Sequence, residues 1–145
     1  MYTPQIVGFG KAVEIALQNQ TTENEFLTQL RQRLWEQISQ LKGIHLNGHP
    51  TQRLAGNLNV SVEGVDGSAL LLGLQSVMAV SSGSACSSIS TSASHVLTAL
   101  GHPEKLAYAS VRFGIGRFNT VEEINKVAEH FVSTVESLRK QAVII

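Results

Sequence analysis

The feature that most constrains the fold is a switch of apolar period. Phe26, Leu30, Leu34, Ile38 and Leu41 recur at intervals of three and four, which places them on one face of a helix. From Leu54 the period becomes two: Leu54, Leu58, Val60 and Val62 interleave with Asn57, Asn59 and Ser61, the pattern of a strand with one apolar face. Alternation returns over Ser110–Ile115, with Val111, Phe113 and Ile115 on one side and Arg112 on the other. Helical spacing then closes the chain through Val121, Ile124, Ala128, Phe131, Val135 and Leu138. Elements patterned in these two ways bury their apolar sides by laying helices against a sheet.

Local signals mark the other elements. Pro4 suits the first turn of a helix that carries Ile6, Gly10, Val13 and Leu17 on one stripe. A second helix is expected to start at Thr22, whose spacing to Glu25 is that of a capping box, and to end at Gly43. Thr120 and Glu123 repeat that spacing ahead of the last helix. Gly64–Gly67 reads as a turn, Ser68–Gln75 as a short leucine-rich helix and Val77–Ser81 as another strand. A helix ending near Gly101 and a helical turn over Pro103–Tyr108 follow. Arg31-Gln32-Arg33 and Trp35 are assigned to a solvated or partner-facing side. The expected architecture is α+β: a small, mostly antiparallel, three-stranded sheet with helices packed on one face. There is no internal repeat and no linker, so residues 1–145 form a single domain.

Charge and cysteine content narrow the function. Eleven basic and eleven acidic residues cancel and no like-charge block occurs, which excludes a basic nucleic-acid surface. A single cysteine excludes an internal disulfide and fits a reducing, cytoplasmic compartment. The first twenty residues lack the basic start and apolar run of a secretory signal, and no apolar run approaches membrane-spanning length. Neither nucleic acid nor membrane is expected as a partner. The five histidines show no metal-ligand spacing. Phe113-Gly114-Ile115-Gly116 matches neither the dinucleotide nor the P-loop pattern.

Two residues stand out chemically. Cys86 follows Ser81-Ser82-Gly83-Ser84-Ala85; eight of the fourteen residues from Ser81 to Ser94 are serine, and none is charged. A stretch this polar cannot bury much apolar surface, so an exposed, mobile loop is expected. The competing reading makes Cys86 a small buried hydrophobe, which would require a partner for each neighbouring hydroxyl. A thiol of pKa about 8.5 is only slightly ionised at neutral pH, and the loop carries no cation or base to activate it. Arg112 stands in a strand on the side opposite the apolar residues. Its planar fork matches a carboxylate with two parallel hydrogen bonds, and a strand holds that fork rigidly. The alternative is a surface arginine with its stem along the sheet. Arg117 has a lesser claim because it lies in a turn.

Ser-Ser-Gly-Ser-Ala-Cys86, followed by Val96-Leu97 and Ala99-Leu100-Gly101, resembles the active-site loop of the pyridoxal-phosphate-dependent cysteine desulfurases. Ser110-Val111-Arg112-Phe113, Gly116-Arg117-Phe118 and Thr120-Val121-Glu122-Glu123 are similar to that family in order and spacing. So are Gln5-Ile6-Val7-Gly8 and Asn57-Leu58-Asn59-Val60-Ser61. The loop length resembles the subgroup that supplies sulfur for iron–sulfur clusters and tRNA thiolation. The resemblance implies the small C-terminal domain of such an enzyme with its connecting helix, the large domain that binds pyridoxal phosphate being absent from residues 1–145. It implies that Cys86 is the nucleophile that carries persulfide and that Arg112 binds the substrate carboxylate. L-cysteine is then the substrate and L-alanine a product. The implied partners are a sulfur-acceptor protein and a large domain or homodimer partner. The cofactor belongs to the complete enzyme, and none is expected on this chain alone, which would be inactive. Two alternatives remain: a stand-alone persulfide relay or acceptor-docking module, and an inactive remnant.

Overall fold

The computed structural model describes residues 2–82 and 93–142. Cys86, and the loop expected to be exposed around it, lie outside the described residues.

Among these residues, four strands form one antiparallel sheet: β1 (Ile44–Leu46), β2 (Asn57–Val62), β3 (Ser81–Ser82) and β4 (Ser110–Gly114), in the order β1-β2-β4-β3. Five helices accompany them among the described residues: α1 (Thr3–Ile38), α2 (Gly67–Leu74), α3 (His95–Ala99), α4 (Glu104–Tyr108) and α5 (Val121–Ala142). Leu58, Val60 and Val62 of β2 and Val111 and Phe113 of β4 turn to one side of the sheet and are buried. Leu30, Leu34 and Ile38 of α1, Leu70 and Leu74 of α2, and Ile124, Ala128, Phe131 and Val135 of α5 complete the core over that side. Phe113 meets Phe131 edge to face, with centroids 5.7 Å apart and planes at 68°, the arrangement that sets a ring's positive edge against its neighbour's negative face. The protein is α+β, as its periodicities require.

The sheet has one strand more than the alternation reveals. β1 is three residues long, too short to show a period, and it pairs Ile44 with Val62 and Leu46 with Val60. β3 is also shorter than expected: Val77–Val80 leads into a two-residue strand whose Ser81 pairs with Arg112.

The first two expected helices are one. α1 runs 36 residues without a break. A capping box acts on backbone N–H groups that lack a partner at a helix start. No glycine or proline interrupts residues 11–38, so the helix continues through Thr22 and leaves no such groups to cap. At Thr120 the same spacing does form the box: the Thr120 N–H donates to Glu123 Oε2 at 3.0 Å and the Glu123 N–H to Thr120 Oγ1 at 3.2 Å. Asp66 caps α2 by accepting the Ala69 N–H at 2.9 Å.

Arg31 and Trp35 are not solvated. Arg31 is buried and its Nη1 donates to the carbonyl oxygens of Leu54 (3.0 Å) and Ala55 (3.2 Å). Trp35 packs against the core. The loop after β1 has carbonyls facing inward with no strand to receive them, and an arginine, with five donors and no acceptor, can satisfy several at once. That loop then closes on β4, where the Ile115 N–H donates to the Gly56 carbonyl at 2.8 Å.

Two predictions follow from these contacts. A Cβ added at Gly56 would overlap the Ile115 carbonyl, a backbone atom that can move only with β4. Gly56→Ala should therefore lower stability by about 1–3 kcal/mol, read as a shifted denaturation midpoint at constant slope. The Glu123 carboxyl is held below the ordinary glutamate value, first by the Asn119 side-chain hydrogen bond and then by the Thr120 N–H, against a smaller opposing effect of desolvation. A carboxyl whose pKa is lower in the folded state stabilises fully above its unfolded value of about 4.3 and loses that contribution as pH falls through the folded value. Thermal unfolding from about pH 7 to about pH 3 should show wild type losing its advantage over Glu123→Gln in that acidic window. An advantage independent of pH would contradict this account.

Candidate functional site

The apolar alternation of β2 and β4 leaves the other side of the sheet polar. Register sets its order. Asn59 lies opposite Arg112, and Arg112 lies opposite Ser81, so one row of side chains crosses β2, β4 and β3. The neighbouring row holds His45, Ser61 and Ser110.

A buried network fixes the β2 end of the first row. Asn47, just beyond β1, donates its N–H to the Asn59 carbonyl at 2.9 Å. Its Nδ2 donates to Asn59 Oδ1 at 2.6 Å and to Ser61 Oγ at 2.9 Å, and Ser61 Oγ donates to Asn47 Oδ1 at 3.2 Å. Asn47 and Ser61 are buried, where each unmade hydrogen bond would be costly. Asn47 sits in Leu46-Asn47-Gly48-His49-Pro50, which reads only as a turn. Nothing in the sequence pairs it with β2.

The six arginines differ in their partners. Arg31 binds the Leu54 and Ala55 carbonyls, and Arg33 Nε donates to Asn125 Oδ1 at 2.7 Å. Arg53 donates to the carbonyls of His49 and Asn47, both at 2.8 Å. Its pKa is lowered by burial and then by the charge of Arg31. Arg139 binds the Glu63 and Lys42 carbonyls. Arg117 pairs with Glu23 at 3.1 Å, which ties the β4–α5 loop to α1. Arg112, half-buried on β4, has no acceptor among the described residues. Of the two arginines weighed from the sequence, Arg117 is occupied by an ion pair and Arg112 is left facing its row.

β3 brings the chain beside Arg112, and Cys86 follows Ser82 by four residues. A pocket of about 370 Å³ opens between residues 77–80, the end of β4 and α5, lined by apolar Met78, Phe113 and Val127 and by polar Asn119, Glu123 and Lys126. It lies on the Phe113 side of the sheet, away from the Arg112 row.

The fit to pyridoxal phosphate can be judged on the lysines. A Schiff-base lysine needs an apolar or cationic setting to lose its proton near neutral pH. Lys11, Lys42, Lys105, Lys126 and Lys140 are all exposed. The described residues therefore do not fit the cofactor's anchor. Three of the five histidines have ordinary hydrogen-bonding roles: His45 faces Glu63 at 2.7 Å, His49 Nδ1 accepts the Gln52 N–H at 2.8 Å, and His130 Nε2 donates to the Gly73 carbonyl at 2.9 Å. No group of three metal-ligating side chains occurs among the described residues. No helix among them is long and apolar enough to cross a membrane.

Comparison with known proteins places this arrangement. The profile of the aminotransferase class-V family matches residues 1–127. The chain is 44% identical over 140 residues to "Cysteine desulfurase IscS" of Shewanella sp. (strain W3-18-1), covering 97% of this chain and 34% of that protein. It is 48% identical over 141 residues to "Cysteine desulfurase, mitochondrial" of Arabidopsis thaliana, covering 97% of this chain and 31% of the relative. Among solved structures, the NifS-like protein from Rickettsia africae superposes with a TM-score of 0.79 at 26% identity, over 90% of this chain and 34% of that one. The chain thus spans about a third of the length of the curated relatives it matches. With the profile matching most of its length, the chain belongs to the class-V aminotransferase family.

Proposed function

We propose that this chain is the small domain of a pyridoxal-phosphate-dependent cysteine desulfurase, with Cys86 as sulfur carrier and Arg112 as the anchor of the substrate carboxylate. The observation that carries the proposal is Arg112: the one arginine with no acceptor among the described residues, held on a strand paired with the strand that leads to Cys86. A guanidinium so placed can grip a carboxylate bidentately and set an amino acid at a fixed distance and angle. In the net reaction the sulfur of L-cysteine passes to the Cys86 thiol, leaving L-alanine and a persulfide. A sulfur-acceptor protein then takes the outer sulfur, for iron–sulfur cluster assembly or thiolation.

The domain reading has separate support in α1. Residues 2–22 are exposed throughout. Ile6, Phe9 and Leu17 are 66%, 73% and 72% exposed, although their spacing is that of a helix with something to bury. A large body packed there would use a surface that this chain leaves uncovered. Pyridoxal phosphate supplies an electron sink when bound; under this proposal it is held by that body, since the lysines here do not fit it. The exposed lysines also favour a second reading, in which the chain by itself relays persulfide made elsewhere.

Purified alone and mixed with pyridoxal phosphate and L-cysteine, the chain should release no alanine. Release at a rate above that of cofactor without protein would overturn the domain reading. Supplied with the remaining two-thirds of a family protein, by fusion or by mixing, the chain should support turnover. Arg112→Lys should then weaken L-cysteine use about tenfold to a hundredfold, because a point charge cannot reproduce the two-pronged contact. In that assembly Cys86→Ser should abolish sulfur transfer while shifting stability by no more than about half a kcal/mol, the change expected if a serine-rich stretch buries little. A Cys86→Ser protein that still forms persulfide would remove Cys86 from the reaction.

A further inference from the structure

The geometry points to Asn59 as a second ligand for the carboxylate held by Arg112, with Asn47 as the residue that turns its amide the right way. This rests on the reading of Arg112 as a carboxylate anchor and adds a residue that the anchor alone does not require.

An asparagine amide has two ends of opposite sense, an accepting oxygen and a nitrogen with two donors. Which end faces a ligand decides whether a carboxylate is attracted or repelled. At Asn59 the choice is made from behind. Asn47 Nδ2 donates to Asn59 Oδ1 at 2.6 Å, and Asn47 is held in turn by its two contacts with the buried Ser61 hydroxyl. With Oδ1 engaged, Nδ2 is the end of Asn59 left to the row, and among the described residues it donates to nothing.

Asn59 is directly opposite Arg112 in the ladder, and such side chains leave the sheet on the same face with Cβ atoms about 4.5–5.5 Å apart. Ser81 flanks Arg112 on the other side. The row therefore presents an amide N–H, a guanidinium and a hydroxyl, with no carboxylate to neutralise them. A ligand carboxylate offers about four lone-pair sites. Arg112 uses two, and one of the remainder is within reach of Asn59 Nδ2. Pairing a neutral donor with the guanidinium favours a planar carboxylate over a single-point anion.

The test uses the full chain labelled with nitrogen-15 and titrated with L-alanine, with ethylamine as the same skeleton lacking the carboxylate. L-alanine should move the Arg112 Nε–H and the Asn59 side-chain NH2 resonances together, along one binding curve, and ethylamine should move neither. Asn59→Asp keeps an oxygen for Asn47 but replaces the outward NH2 with an oxygen; it should abolish the response at Arg112. Asn59→Ala should weaken binding about tenfold or more, the loss expected for a hydrogen bond to a charged group. Should Asn59→Ala fail to fold, the wild-type resonances and Asn59→Asp still decide. A shift at Arg112 with Asn59 unmoved overturns the inference and leaves the Arg112 reading standing. No shift at either overturns both.

Discussion

Five residues of β4 serve two opposed environments. Val111 and Phe113 must enter the core, so Arg112 between them must leave it. The period of a strand allows no other outcome, and slipping the register by one residue would exchange the two faces wholesale. The β2–β4 pairing, which sets Leu58 against Phe113 and Asn59 against Arg112, thus builds the core and the polar row in one step. Phe131 reinforces the facing of β4 from the helix side through its edge-to-face contact with Phe113. The position of the candidate site is a by-product of packing.

Where the sequence was legible, one face of an element was uniformly apolar. The α5 stripe from Ile124 to Val135, the α1 stripe from Leu30 to Ile38 and the alternation from Leu58 to Val62 and Val111 to Phe113 report burial directly, whereas Leu54 and Val121, at the ends of their patterns, are exposed. What could not be read depends on partners distant in the chain. Thr22–Glu25 carries the letters of a helix start, yet nothing nearby stops the helix and tertiary context overrides so local a signal. Arg31 looks solvent-bound by type and is buried because carbonyls of residues 54 and 55 need donors. β1 pairs only because β2 offers an edge to it. Asn47 is invisible for the same reason, as its partners lie twelve and fourteen residues further on. Arg112 was conspicuous as an arginine in a strand, but its availability emerges only once the acceptors of the other arginines are known.

Polar groups here are sorted by whether their hydrogen-bonding capacity is spent. Arg139 uses its guanidinium on the Glu63 and Lys42 carbonyls, which pins the end of α5 to the turn at Gly43, a residue at φ +77°. Arg33 and Gln37 share Asn125 across the α1–α5 seam. These contacts are structural because they are complete. On the sheet, among the described residues, the row on β2, β4 and β3 leaves donors in surplus.

α1 has a mechanical consequence as well. At about 1.5 Å per residue its 36 residues extend about 54 Å, yet only its C-terminal part is anchored, by Leu30, Leu34 and Ile38 in the core and by Glu23 to Arg117. The helix is a cantilever clamped at one end. Because a continuous helix bends only gently where no proline or inserted group breaks it, the tilt of its projecting end and the tilt of the sheet are one variable. Whatever seats residues 3–22 thereby also aims the side chain of Arg112.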